Sequence, residues 1–207
     1  MRVLFASKCW EKDWLPLVSG GFQKKVDAIG YPFAGHVLIL NNGVPVGISP
    51  IIDGIAYHRA IKRDWDFLGV REPNVYCSGE LSAVAYAAYG GFDYICYLQG
   101  DCITENGDWV TPAILILEEE PDVTLVSPAS EVNTWADKDG YDSYVSDQAF
   151  VARVSDLSSH SAWNVPGNDP DYPQYALDSF EARLGRHLKA MRLRRKILEG
   201  YWCYHNG

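Results

Sequence analysis

The chain has 207 residues, 47% of them apolar, and a formal net charge of −9 at pH 7. This length fits a single domain with a sizeable core, and no stretch approaches the roughly 20 apolar residues of a membrane-spanning helix. The negative net charge argues against a protein that binds nucleic acid. The five cysteines are scattered and form no Cys-x-x-Cys pair, and the apolar segment at the N-terminus is too short for a signal peptide. These features predict a cytoplasmic protein with reduced thiols.

Predicted strands and helices alternate along the chain. Short apolar or β-branched runs predict strands at Arg2–Ala6, His36–Leu40, Asn74–Cys77, Asp93–Leu98, Asp122–Val126, Gln148–Val154 and Tyr201–His205. Helical patterns predict helices at Lys12–Ile29, with a break at Gly20-Gly21, and at Pro50–Asp64, Gly79–Tyr89, Trp109–Glu119 and Gln174–Leu198. Two long polar segments, Ser127–Asp147 and Asn164–Tyr175, are predicted to be binding loops. The alternation predicts one α/β domain, residues 1–207, with a mainly parallel sheet flanked by helices.

The most informative segment is the predicted strand Asp93–Leu98 and the turn that follows it. The strand is almost wholly apolar and ends in Gln99-Gly100-Asp101. In open α/β sheets, ligands bind at the carboxyl ends of the strands. A carboxylate there can hold a hard divalent cation that bridges phosphates, and Gly100 allows a close approach of ligand and backbone.

The order of these segments resembles that of the nucleotide-sugar glycosyltransferases of the GT-A fold, especially the family 2-like group. Its pattern, N-x-G-x-x-x-A…A-x-G-x-Y-I-x-x-L-D-x-D, is matched loosely by Asn74 to Gly79, by Ala83 to Ala88 and by Gly91 to Asp101. The resemblance implies a Rossmann-like fold with a nucleotide-sugar half at 1–126 and an acceptor and catalytic half at 127–207. It also implies a UDP-sugar as donor and Mn²⁺ or Mg²⁺ as cofactor.

The chain departs from the family pattern at two places. Gln99 stands where the family has the first carboxylate of D-x-D, so only Asp101, the second, remains. Asn41 and Asn42 follow the second strand, where the family often has Asp; an amide can hydrogen-bond a ribose or a base but brings no charge.

The resemblance also implies roles for residues elsewhere in the chain. His205, near the end, is expected to join Asp101 as a metal ligand, since a carboxylate, an imidazole and diphosphate oxygens suit Mn²⁺. An inverting transferase needs a carboxylate to take the proton of the acceptor hydroxyl. Asp178 and Glu181, three apart on a predicted helix, are candidates, and Asp147 is a rival; helix-dipole or turn-stabilising roles remain the alternatives for these acids. The expected donor-binding residues are Ser7, Lys8, Trp10, Asn41, Asn42, Gln99, Gly100 and Asp101.

The acceptor stays open at this point. Seven of the eighteen basic residues fall between Arg183 and Lys196 and form either a solvated helix end or a phosphate-facing patch. Some compact, virus-encoded glycosyltransferases modify hydroxymethylated pyrimidines in DNA, which such a patch would suit; a glycan or a small molecule is the alternative acceptor. Two other functions remain: a nucleotidyltransferase, disfavoured because no Gly-rich loop follows the first strand, and a non-catalytic sugar-nucleotide-binding protein.

Overall fold

The computed structural model describes residues 1–41, 54–70, 75–130, 146–159, 162–165 and 179–205. Within these ranges, eight strands form one sheet in the order β3-β2-β1-β4-β7-β6-β8-β5. No helix in the described ranges is long and apolar enough to cross a membrane. The strands are β1 (Val3–Cys9), β2 (Gly35–Leu40), β3 (Ala56–Arg59), β4 (Tyr94–Leu98), β5 (Cys102–Glu105), β6 (Val123–Ser130), β7 (Ala149–Arg153) and β8 (Arg194–His205).

Seven α-helices accompany the sheet in the described ranges. After β1 the chain forms a short 3-10 turn (Glu11–Asp13), α1, a π turn (Leu17–Gly21) and α2, and Gly20 has a positive φ of 105°. The predicted break at Gly20-Gly21 is therefore confirmed. The helices are α1 (Trp14–Pro16), α2 (Phe22–Ile29), α3 (Lys62–Phe67), α4 (Val75–Tyr89), α5 (Val110–Glu119), α6 (Val154–Leu157) and α7 (Phe180–Met191).

The sheet is mixed. The pairs β1–β2, β1–β4, β2–β3 and β6–β8 are parallel, whereas β4–β7, β6–β7 and β5–β8 are antiparallel. The parallel half, β3-β2-β1-β4, places the carboxyl ends of its strands at one edge. Because β7 runs antiparallel to β4, with Ala149 opposite Leu98, the segment that precedes β7 reaches the same edge.

The core lies in two layers, one on each face of the sheet. Alternate side chains of β1 point to opposite faces: Leu4 and Ala6 pack with α4, whereas Val3 and Phe5 pack toward the side that holds α2 and α5. Small buried residues of α4, including Ala83 and Ala87, allow this helix to lie close to the sheet. The result is an α/β sandwich, as the sequence predicts.

Three predicted elements differ from the structure, and one observed strand was not predicted. Within Pro50–Asp64, Ala56–Arg59 is a strand and not a helix, and residues 50–53 lie outside the described ranges. The predicted strand Asn74–Cys77 is wrong, because the helix α4 begins at Val75. The predicted helix Gln174–Leu198 ends at Met191, and Arg194 begins the last strand. The short strand β5 was not predicted.

Most of the basic run between Arg183 and Lys196 is engaged in internal contacts or buried in the structure. Arg194 binds Glu120 and Asp122 through contacts of 2.6–3.0 Å, and Lys196 also binds Glu120. Arg183 is buried and donates to the carbonyl of Trp163. Arg195 is also buried, at 1% exposure. These residues fix α7 and β8 to the rest of the fold.

Candidate active site

Predicted functional residues from several elements meet at the carboxyl edge of β1, β2 and β4. Lys8 lies near the end of β1, and Gln99 and Asp101 follow β4 directly. Asp147 lies two residues before the start of β7, and His205 ends β8. The sheet topology therefore gathers at one edge side chains that are far apart in sequence.

The predicted metal ligands Asp101 and His205 lie side by side. His205 Nδ1 is 3.6 Å from Asp101 Oδ1. The two meet because β5, which begins directly after Asp101, pairs antiparallel with the end of β8, with Cys102 opposite His205. The amide of Gln148 is 2.7 Å from His205 Nε2 and fixes the imidazole ring from its other side. A carboxylate and an oriented imidazole provide two suitable ligands for a divalent cation.

The turn that carries Asp101 is tightly held. A Cβ on Gly100 would lie 2.4 Å from the carbonyl oxygen of Lys8, so only glycine fits at this position without a shift of the backbone. The amide of Cys102 donates to the carbonyl of Gln99 over 3.1 Å, and the ammonium of Lys25 also donates to the carbonyl of Cys102. Backbone packing and hydrogen bonds thus fix the carboxylate before any ligand binds.

Lys12 faces the second oxygen of Asp101. Its ammonium donates to Asp101 Oδ2 over 3.0 Å, which leaves Oδ1 toward His205. Partial burial alone would raise the pKa of Asp101, but the hydrogen bond and the charge of Lys12 outweigh it and lower that pKa. Asp101 is therefore ionised at neutral pH, as a cation ligand must be.

Behind this edge lies a second group of charges, the buried acid cluster, which we define as Lys8, Glu80, Tyr97, Asp147 and Glu181. The ammonium of Lys8 donates to Glu80 Oε1, which also accepts from the hydroxyl of Tyr97 over 2.9 Å. Lys8 Nζ is 4.0 Å from Asp147 Oδ2, and Asp147 lies close to the carboxyl group of Glu181. The side chains of Lys8 and Glu80 are 3% and 0% exposed. One cation therefore faces three carboxyl groups, of which Glu80 is fully shielded from water.

The excess of carboxyl groups over cations governs which groups of the cluster hold a proton. Burial alone would lower the pKa of Lys8, but the charges of Glu80 and Asp147 raise it above its ordinary value. Burial raises the pKa of Glu80. Burial and the neighbouring charge of Glu181 raise the pKa of Asp147 to about 8. Lys8 therefore stays charged, while Asp147 holds a proton up to mildly basic pH.

The other predicted donor-binding residues occupy varied positions. Ser7 is buried, and its hydroxyl donates to the carbonyl of Leu98 over 2.6 Å. Asn41 is buried and accepts from the hydroxyl of Ser78 over 3.0 Å. Trp10 lies beside Lys8, with the ammonium 5.2 Å from its ring. Gln99 donates to Asp147 Oδ2 over 2.6 Å and so joins the edge to the buried acid cluster.

Two predicted residues lie outside the described ranges, and their roles stay predictions: Asn42 and Asp178. Glu181 lies in the first turn of α7, next to Asp147. Helix α7 begins after Ser179, whose hydroxyl accepts from the amide of Ala182 over 3.3 Å. Two of the three predicted candidates for a catalytic base are thus adjacent.

Several residues of this region were not found by sequence reasoning. Glu80 is the clearest example, because it is the only charged residue of helix α4 and the other residues of that helix are small, apolar or uncharged. A lone acidic residue in such a helix must be paired or protonated, so Glu80 could have been identified from the sequence as a site candidate. Lys12, Gln148 and Tyr97 gave no comparable signal, because their contacts depend on the tertiary fold.

Comparisons with known proteins agree on the fold. No protein-family model matches the chain, and no curated protein matches it in sequence. Among solved structures, it is similar to glucosyl-3-phosphoglycerate synthase from Mycobacterium tuberculosis, in complex with Mn²⁺, UDP and phosphoglyceric acid. That match has a TM-score of 0.56 and 7% identity and covers 100% of this chain and 71% of the other.

The same synthase in complex with Mg²⁺ and UDP gives a TM-score of 0.57 at 8% identity, over 100% of this chain and 72% of the other. TarS from S. aureus gives a TM-score of 0.56 at 12% identity, over 98% of this chain and 60% of the other. The predicted GT-A fold is confirmed.

Proposed function

We propose that this chain, with its GT-A fold, transfers a sugar from a UDP-sugar to a hydroxyl acceptor with the help of a divalent cation at Asp101 and His205. The observation that carries the proposal is the 3.6 Å approach of these two side chains at the carboxyl edge of the parallel strands. Both were expected as ligands from the sequence. The similar synthase structures contain UDP with Mn²⁺ or Mg²⁺, which supports the same donor class here.

The residues present fit such an ion. Asp101 is ionised and held in a rigid turn, and His205 is oriented by Gln148. A divalent ion bound there would neutralise charge that develops on the diphosphate leaving group. Gln99, in the place of a first carboxylate, contributes no charge, so Asp101 and His205 are the protein ligands that this proposal requires.

The acceptor hydroxyl must lose a proton as the sugar is transferred. We assign this role to Glu181, which lies beside Asp147 at the rim of the buried acid cluster, because Asp147 holds its own proton up to mildly basic pH. Gln99 orients Asp147 through its amide, and Lys8 supplies the positive charge that keeps the cluster stable. Asp178, outside the described ranges, remains a candidate for the same role.

For the acceptor we favour a small molecule or a glycan over DNA. The synthase complex contains phosphoglyceric acid, a small acceptor-like molecule. A hydroxymethylated pyrimidine in DNA would need a phosphate-binding surface, and the basic run from Arg183 to Lys196 is largely engaged in internal contacts.

The test measures donor binding first. In calorimetry with Mn²⁺, Asp101→Asn should weaken UDP binding at least about tenfold, as expected for loss of a metal ligand. The matched control is Asp66→Asn, which removes an exposed aspartate paired with Lys62 on α3. Equal affinities for wild type and Asp101→Asn would refute the assignment.

A panel of nucleotide sugars, with and without Mn²⁺, then tests for catalysis. Metal-dependent hydrolysis of one donor supports the transferase. Metal-dependent binding of UDP without turnover of any sugar, with or without added acceptors, would favour the non-catalytic sugar-nucleotide-binding protein. Release of pyrophosphate from a nucleoside triphosphate and a sugar phosphate would favour the nucleotidyltransferase.

A further inference from the structure

A third potential ligand lies beside Asp101 and His205. The thiol of Cys102 is 3.6 Å from His205 Nδ1 and 3.9 Å from Asp101 Oδ1. With the 3.6 Å between Asp101 and His205, three ligating atoms form a nearly equilateral triangle. In the described ranges, these are the only three such residues whose ligand atoms group closely enough to hold one ion.

The size of this triangle can be compared with the ligand separations that different ions require. Tetrahedral Zn²⁺, with bonds of about 2.3 Å to sulfur and about 2.0–2.1 Å to nitrogen and oxygen, requires ligand separations of roughly 3.3–3.6 Å. Octahedral Mg²⁺, with bonds of about 2.1 Å, places neighbouring ligands only about 3.0 Å apart. The observed separations of 3.6, 3.6 and 3.9 Å are closer to the tetrahedral values.

The type of ligand points in the same direction. Oxygen ligands suit Mg²⁺ and Mn²⁺, whereas a thiolate with an imidazole suits Zn²⁺. Three protein ligands and one open position are the usual arrangement of a catalytic zinc site. From these observations we infer that Asp101, Cys102 and His205 form a three-ligand site for a thiophilic ion, and that Zn²⁺ is the favoured ion.

The ligands are also held in place before the ion arrives. The amide of Cys102 is fixed by Gln99, and its carbonyl is fixed by Lys25. Gln148 contacts the far nitrogen of His205, as outer partners of metal-bound histidines do. The side chains of Asp101 and His205 are 26% and 52% exposed, so an ion can enter from their side, while Cys102 forms the buried floor. Binding displaces the thiol proton to give the thiolate ligand.

This inference deepens the proposed function, because the open fourth position would face the donor diphosphate, but its test does not depend on that function. An ion held by two protein ligands needs the diphosphate for tight binding. An ion held by three protein ligands binds without it. The two cases are therefore separated by metal binding to nucleotide-free protein.

The experiment titrates Co²⁺, a spectroscopic substitute for Zn²⁺, into the reduced, metal-free full-length protein without nucleotide. A thiolate-to-cobalt charge-transfer band with tetrahedral visible bands, both abolished by one equivalent of Zn²⁺, is expected. Cys102→Ser should remove the charge-transfer band and lower Zn²⁺ affinity by more than about tenfold. Cys9→Ser is the matched control, because Cys9 is a buried free thiol that lies outside the triangle.

The outcomes separate the two proposals. No charge-transfer band in the wild-type protein, or a band that survives in Cys102→Ser, overturns the zinc site; UDP binding with Mn²⁺ would then still support the transferase. A cobalt band that depends on Cys102, in a protein that does not bind UDP, supports the zinc site and rejects the proposed function. His205→Ala, at a half-exposed position, should also weaken Co²⁺ binding, and unchanged binding there would overturn the site.

Discussion

Replacement of Lys8 by Met tests whether the buried acid cluster depends on its one cation. The ammonium of Lys8 is 4.0 Å from Asp147 Oδ2 and closer to Glu80. At about 4 Å and an effective dielectric constant of about 20, the attraction to one ionised carboxylate amounts to about 4 kcal/mol. At neutral pH this partner is Glu80, because Asp147 holds its proton. Protonation of the acids would offset part of the loss. We therefore expect Lys8→Met to lower the free energy of unfolding by about 3–5 kcal/mol, as for other buried pairs that lose one partner.

The assay is urea unfolding at neutral pH, with the free energy extrapolated linearly to water. Lys12→Met is the matched control: Lys12 also contacts a carboxylate, Asp101, but its side chain is 71% exposed, so a change within about 0.5 kcal/mol is expected. The double variant Lys8→Met/Glu80→Gln should recover part of the loss, with a coupling energy of about 1–3 kcal/mol. A change below about 0.5 kcal/mol for Lys8→Met, or strict additivity in the double variant, would refute the reasoning.

Two further predictions concern the same edge of the sheet. The pKa of Asp147 is raised to about 8 in the folded protein, against an ordinary value near 4, so its contribution to stability is complete at acidic pH and is lost as pH rises toward 8. Asp147→Asn should remove a slope of up to about 1.4 kcal/mol per pH unit over this range, and parallel pH profiles for the two proteins would contradict the prediction. Gly100→Ala places a methyl group 2.4 Å from the carbonyl oxygen of Lys8 and should cost about 1–3 kcal/mol and weaken metal binding at Asp101. Gly107→Ala, in open space but at a φ of +77°, should cost stability and leave metal binding intact; an equal loss of metal affinity in both variants would show that Gly100 has no specific role.

The parts of the fold predicted correctly are those that local pattern determines. The apolar strand before Gln99-Gly100-Asp101 could be found from composition alone, because burial on both faces of a parallel sheet leaves a continuous apolar run. The position of His205 near Asp101 was expected from the resemblance to a family. The approach itself depends on the pairing of β5 with β8, and Cys102–Glu105 is too short for a periodic signal.

The wrong predictions have a common physical cause, which is that tertiary contacts override local preference. The run Arg194-Arg195-Lys196 continues a helical pattern, yet these residues form a strand because they pair with β6. Arg194 and Lys196 also bind Glu120 or Asp122, which lie just before β6. Arg192, in a left-handed conformation with φ 55°, ends the helix without a glycine to mark the place. The buried acid cluster was not predicted as a unit for a related reason, although Lys8, Asp147 and Glu181 were separate candidates. Its members come from β1, α4, β4, α7 and the segment before β7, and no spacing in the sequence joins them.

The position of β8 within the sheet has a consequence for the order in which the molecule opens. In the described ranges, β5 pairs with β8 and with no other strand, and β8 lies between β6 and β5. The backbone amides of β5 should therefore exchange with solvent hydrogen whenever β8 detaches, even if the parallel strands stay closed. Cys102 belongs to β5 and His205 to β8, so a bound ion would link the two strands and oppose the detachment of β8. Slower amide exchange in Cys102–Glu105, with β1 and β2 unchanged, would make ion occupancy visible without any measurement of catalysis.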